Sequence, residues 1–162
     1  MKKFLNILPA ILAVCLLGVM AACEMHASTS VTYKVDTGDS IKIEVDTTAG
    51  FSQDTEVPFS IKKDDAVYLE GSFGTEDAFD FFQHYATTDD DVVLLEEGEK
   101  DGNQYLMYAT SGDSVSAESS ITTEYDYVVR VANSNTCVVL YGSVSEEAAR
   151  EAFEATTISA AE

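Results

Sequence analysis

From Val31 to Val45 apolar residues fall at every second position: Val31, Tyr33 and Val35, then, after Thr37-Gly38-Asp39, Ile41, Ile43 and Val45. Successive side chains of a strand point to opposite faces, so this spacing requires two strands with one buried face, joined by a tight turn. The same reasoning predicts strands over 57–61 and 67–69 about Asp64-Asp65, with Pro58 at a strand start or on an edge. Further strands are expected over 92–95 and 104–110 about Asp101-Gly102-Asn103, and over 124–132 and 136–142 about Asn133-Ser134-Asn135. Tyr105, Met107 and Ala109 share one face of their strand. Residues 24–30 read as a polar tether, 47–55 as a polar loop around Gly50, and 111–122 as the longest loop signal, rich in Ser.

The period changes twice. Thr75 is placed to cap a helix whose first turn holds Glu76 and Asp77 and whose apolar stripe is Ala78, Phe79, Phe82, Tyr85 and Ala86. Such an aromatic stripe is a face for packing on a sheet, and His84 lies off it. Ser145 caps a second helix with Glu146 and Glu147 in its first turn, Val144 stapled to Ala149, Glu146 paired with Arg150, and Ala149, Ala152, Phe153 and Thr156 facing inward. The expected order is four strands, helix, four strands, helix. The fold class is α+β: a single antiparallel β-sheet of about 6–8 strands with two helices packed on it, one domain over 31–159.

The start of the chain has a different character. Met1-Lys2-Lys3 is basic, and Phe4 to Met20 is apolar apart from Asn6, Pro9 and Gly18, the pattern of a secretory signal. An uncleaved membrane helix is disfavoured, because the run falls short of the ~20 residues a span needs and contains Pro9. Ordinary cleavage sites fit poorly, since bulky Met20 or Met25 would occupy the third-last position. Removal of residues 1–22 takes Lys2 and Lys3 with it and leaves seven basic against 29 acidic residues, a side-chain charge of −22. That excludes nucleic acid as a partner, because phosphate backbones are tracked by clustered Lys and Arg. It also sets the body against anionic lipid head groups. Cys15 would leave with the signal, and Cys137, inside Thr136-Cys137-Val138-Val139-Leu140, reads as a buried strand residue, so no disulfide framework is expected.

Met20-Ala21-Ala22-Cys23 resembles the lipobox of bacterial lipoproteins: an aliphatic residue, two small ones and Cys, with Met20 a less common first member. The resemblance implies removal of residues 1–22, lipid on the Cys23 sulfur, acylation such as palmitate on its new amino group, and a lipid-anchored tether over 23–30. It places the domain on the outer face of the bacterial cytoplasmic membrane. More than one acyl chain anchors stably where a single chain is marginal, each buried methylene contributing roughly 0.8 kcal/mol. Phe59-Ser60-Ile61 with its following strand, Asp101-Gly102-Asn103-Gln104-Tyr105, and the unit from Val138-Val139-Leu140 to Phe153 together resemble PsbP-like and Mog1-like α/β domains. That family implies an accessory or binding role without naming a site.

Three local patterns bear on chemistry. Asp36-Thr37-Gly38 matches the loop of aspartic proteases, in which two copies bring two carboxylates together, but the chain has one copy, with Lys34 and Asp39 flanking it. A homodimer using Asp36 would be needed, and a β-turn needs the same residues. Glu97, Glu99 and Asp101 with Gly102 imitate the opening of a calcium loop, yet the twelfth position is Tyr108 and the flanks are strands. Gly112-Asp113-Ser114-Val115-Ser116 lacks the second Gly of a nucleophile elbow, and His26 and His84 are the only bases of their type. Zinc-ligand spacings and phosphate-cradling glycine loops are missing from the sequence. The expectation is therefore a non-enzymatic, extracytoplasmic binding or accessory module with no cofactor, metal or catalytic residue, which contacts an envelope protein or a solute through its loop over 111–122 and its exposed acidic turns, with Cys23 as its lipidation site. A weak calcium-binding surface domain and a homodimeric protease are the alternatives.

Overall fold

A computed structural model describes residues 27–112 and 122–161. Among them run β1 (Ser28–Lys34), β2 (Ser40–Asp46), β3 (Phe51–Gln53), β4 (Phe59–Lys63), β5 (Ala66–Thr75), α1 (Asp77–Thr88), β6 (Val92–Lys100), β7 (Asn103–Gly112), β8 (Thr122–Arg130), β9 (Thr136–Gly142), α2 (Glu146–Glu154) and β10 (Thr156–Ala160). All strand pairs are antiparallel, but they form two sheets where one was expected: seven strands in the order β3-β4-β5-β9-β8-β7-β6 and three in the order β1-β2-β10. The reason lies in β10. Thr156 to Ala160 pair with Val45 to Ile41, so the hairpin takes its second neighbour from the chain end and packs on the large sheet instead of joining it. Ile41, Ile43, Val45 and Ile158 are thereby buried, each fully buried aliphatic side chain contributing roughly 1.5–3 kcal/mol.

The seven-stranded sheet is covered on both faces. On one, Met107, Tyr127, Val129, Val138 and Leu140 meet the small sheet and Ala149, Ala152 and Phe153 of α2. On the other, Leu106, Tyr108, Val128 and Cys137 meet Phe79 and Ala86 of α1. This explains the unbroken apolar runs Leu106-Met107-Tyr108 and Tyr127-Val128-Val129, since strands buried on both faces have no solvent side to alternate with. Gln53 adds a polar seam, donating through Nε2 to Thr29 O at 3.2 Å and Ile43 O at 3.1 Å.

Several boundaries differ from expectation. Ser28–Ser30 belong to β1, paired with Asp46–Glu44, and not to a tether. The loop expected over 47–55 contains β3, which pairs with β4. Val57 and Pro58 precede β4 and do not belong to it. Thr75 ends β5 instead of capping α1; the N-cap position is Glu76, which makes no side-chain cap bond and donates its N–H to Asn135 O at 2.9 Å. Thr156 opens β10, its hydroxyl donating to Ala152 O at 2.7 Å. The second helix begins as read: Ala148 N–H donates to Ser145 Oγ at 3.2 Å, and Arg150 Nε donates to Glu146 at 2.9 Å. Cys23, His26 and the loop core 113–121 lie outside the described residues.

Candidate functional site

The β1–β2 turn is fixed to the start of β9, the central strand of the large sheet. Thr37 and Thr136 share a hydrogen bond of 2.6 Å between their hydroxyls. Asp39 Oδ2 accepts from Asn135 N–H at 2.7 Å and from the Thr136 hydroxyl at 2.9 Å. The Asn135 amide, then the Thr136 hydroxyl, holds the Asp39 carboxyl below the usual carboxylate range. Gly38, at φ +92°, supplies the left-handed residue that closes the turn.

Between this turn and β5 lies a groove of about 570 Å³, lined by Lys34, Val35, Asp36 and Thr37 on one side, by Ser72, Phe73, Gly74 and Thr75 on the other, and by Val57. Hollows of about 360 Å³ beside Gln83 and Glu97 and about 310 Å³ beside Tyr68 and Tyr141 are smaller. The groove exists because β4 is shorter than β5. Phe59 pairs with Gly71, the chain before it turns away at Val57-Pro58, and residues 72–75 keep β9 as their one registered neighbour. Val57 is left 55% exposed.

Beneath the groove lies an aromatic cluster. The rings of Tyr33 and Phe59 are 5.2 Å apart, Tyr33 and Phe73 5.3 Å, and Phe59 and Phe73 5.5 Å. Gly71 permits this packing, since a Cβ there would fall 2.2 Å from Phe59 Cζ. Tyr33 donates its hydroxyl to Asp54 O at 2.7 Å, and burial, aided by the Asp54 charge, pushes it up to about 12.

The residues singled out from the sequence are dispersed. Asp36 is exposed on the groove wall, in a turn with no second Asp-Thr-Gly loop in the chain. Asp101 and Gly102 form a hairpin turn at φ 54° and 81°, both left-handed as a type I′ turn requires. Glu97 there accepts from Gln83 Nε2 at 2.7 Å. Among the described residues no group of three His, Cys, Asp or Glu comes together to hold a metal ion. Cys137 is fully buried, and desolvation pushes its thiol up to about 12, which makes it a packing residue. His84 is exposed on α1.

Sequence reasoning missed Phe73, Val57 and the open edge of β5. The available signal was length: alternation continues past Leu69 through Gly71 and Phe73, while Pro58 limits how far the partner strand can extend. No family model matches the chain, and no curated protein resembles it in sequence.

Proposed function

We propose that the protein is a lipid-anchored, extracytoplasmic binding module of the bacterial envelope that engages its partner through the groove between the β1–β2 turn and β5. The observation that carries this reading is the position of the groove along β1. The start of β1 is held by Thr47 N–H donating to Ala27 O at 2.9 Å, and Ser28 pairs with Asp46. Lys34, at the other end, lines the groove. Seven residues of strand at roughly 3.3 Å each separate the two ends by about 20 Å. Lipid on Cys23 would hold Ala27 within about 14 Å of the membrane, the reach of an extended segment that long. The groove then opens at the end of the body away from the bilayer, where a partner in the envelope can reach it.

The chemistry of the groove suits binding rather than catalysis. It combines apolar area from Val35, Val57 and Phe73 with one cation and one carboxylate, Lys34 and Asp36. The test is a photo-crosslinking amino acid at position 57 of the full-length protein in intact cells. A discrete crosslinked species from the envelope is expected, reduced when the crosslinker is moved to exposed Val67 on the other end of β5. No species at position 57, or the same one at both positions, would refute the reading.

A further inference from the structure

We infer that the groove takes the C-terminal tail of a polypeptide, bound as a short strand on the open edge of β5 with its terminal carboxylate on Lys34; this rests on the groove being the binding site. Two observations lead there. The first is the edge itself. In an antiparallel ladder, alternate residues direct their N–H and C=O groups to one neighbour and then the other. Over 72–75, β5 is registered with β9, from Ser72 opposite Val139 to Thr75 opposite Thr136, while its register with β4 ends at Gly71. Every second residue of this segment therefore offers its backbone pair to the groove. An extended peptide satisfies such groups, whereas a compact solute does not.

The second is the charge. Lys42, Lys62, Lys63, Lys100, Arg130 and Arg150 each lie within ion-pair distance of a carboxylate. Lys34 has no such partner among the described residues, although acidic residues outnumber basic ones 29 to 9 in the chain. An unpaired, exposed cation on the wall of an apolar groove is complementary to one carboxylate. Asp36 on the same wall and the net charge of −20 oppose a tail with several acidic groups. The edge is also short, bounded by the Phe59–Gly71 pair at one end and by the entry to α1 after Thr75 at the other. A chain end needs to enter from one side alone. Its apolar side chains would contact Phe73 and Val57.

The test uses the full-length protein in detergent and a fluorescein-labelled Thr-Val-Thr-Val-Thr-Val peptide with a free C-terminus, read by anisotropy. Binding is expected to saturate, and C-terminal amidation or Lys34→Gln is each expected to weaken it about tenfold, as for a charge-assisted hydrogen bond. Amidation should have no further effect in the Lys34→Gln variant. Backbone N-methylation at alternate peptide residues should abolish binding, because it removes the donors a strand uses. Equal binding of acid and amide, indifference to N-methylation, competition by acetyl-valine as effective as by unlabelled peptide, or no binding at millimolar peptide would each overturn the inference. None of these outcomes depends on crosslinking at position 57, so a partner captured there with no peptide binding would leave the binding module standing and remove only its ligand class.

Discussion

Asp126 is the one carboxyl among the described residues that burial holds well above the usual carboxylate range. It lies on β8 opposite Tyr108, is 7% exposed, and desolvation, then the Glu124 charge, pushes its carboxyl up from 3.8 to about 7. The folded protein thus keeps a proton that the unfolded chain releases, and stability falls as pH rises from about 4 to about 7. Asp126→Asn is expected to raise stability at pH 8 by on the order of 3 kcal/mol and to change it little at pH 4, as measured by urea unfolding at both values. Gly71 imposes a steric condition instead. Phe59 is fully buried between Tyr33 and Phe73, so its ring cannot move aside for a new methyl group. Gly71→Ala should cost about 1–3 kcal/mol by overpacking and alter the near-ultraviolet circular dichroism of the aromatic cluster. Neither effect can be read from residue type alone, because each depends on what the opposite strand presents.

At the scale of elements, the β6–β7 hairpin ties the two sheets together. Lys100 Nζ donates to Phe153 O at 2.7 Å and to Thr156 O at 2.5 Å, covering the C-terminal carbonyls of α2 where the chain passes into β10. Buried Asn103 donates to Ile158 O at 2.7 Å, and its Oδ1 accepts from Ala132 N–H at 2.8 Å. Asn103→Ala would strand both backbone groups and is expected to lower stability by about 2–3 kcal/mol, with faster amide exchange along β10. Most hairpins were legible because their alternation and turn residues lie close in sequence: Ile41, Ile43 and Val45, Asp101-Gly102, and Ser145 with its helix all announce themselves. β3 and β10 were not. Phe51-Ser52-Gln53 is too short to show a period, and Thr156 continues the helical spacing of Ala149, Ala152 and Phe153, so the switch to strand is decided by pairing with β2 far back in the chain.

At the scale of the molecule, the turn of the small sheet faces the stretch of β5 that short β4 leaves open, and this juxtaposition was hidden from the sequence. The two walls of the groove come from positions 34–37 and 72–75 and are joined by hydrogen bonds to Asn135 and Thr136, three segments that only the tertiary fold brings together. The sequence did expose the unequal charge balance and the lipobox-like pattern from which the anchor at Cys23 is proposed. If residues 1–22 are removed as proposed, seven basic residues stand against 29 acidic, which gives the body no electrostatic hold on an anionic bilayer. Cys23→Ser is therefore expected to move the protein out of the membrane fraction while its thermal unfolding stays unchanged, as checked by fractionation and circular dichroism. Retention of the variant in membranes with its first 22 residues attached would refute the proposed lipid anchor in favour of a membrane-embedded segment.

The antiparallel ladder between β1 and β2 also has a mechanical meaning. A tension between the start of β1 and a partner seated at Lys34 acts lengthwise along the strand, at right angles to its hydrogen bonds. The covalent backbone of β1 then carries the load, while the seven registered pairs from Ser28–Asp46 to Lys34–Ser40 keep the strand seated beside β2. Were the protein anchored through Cys23 and engaged at the groove as proposed, such a pull would cross the body along one strand without first unravelling it.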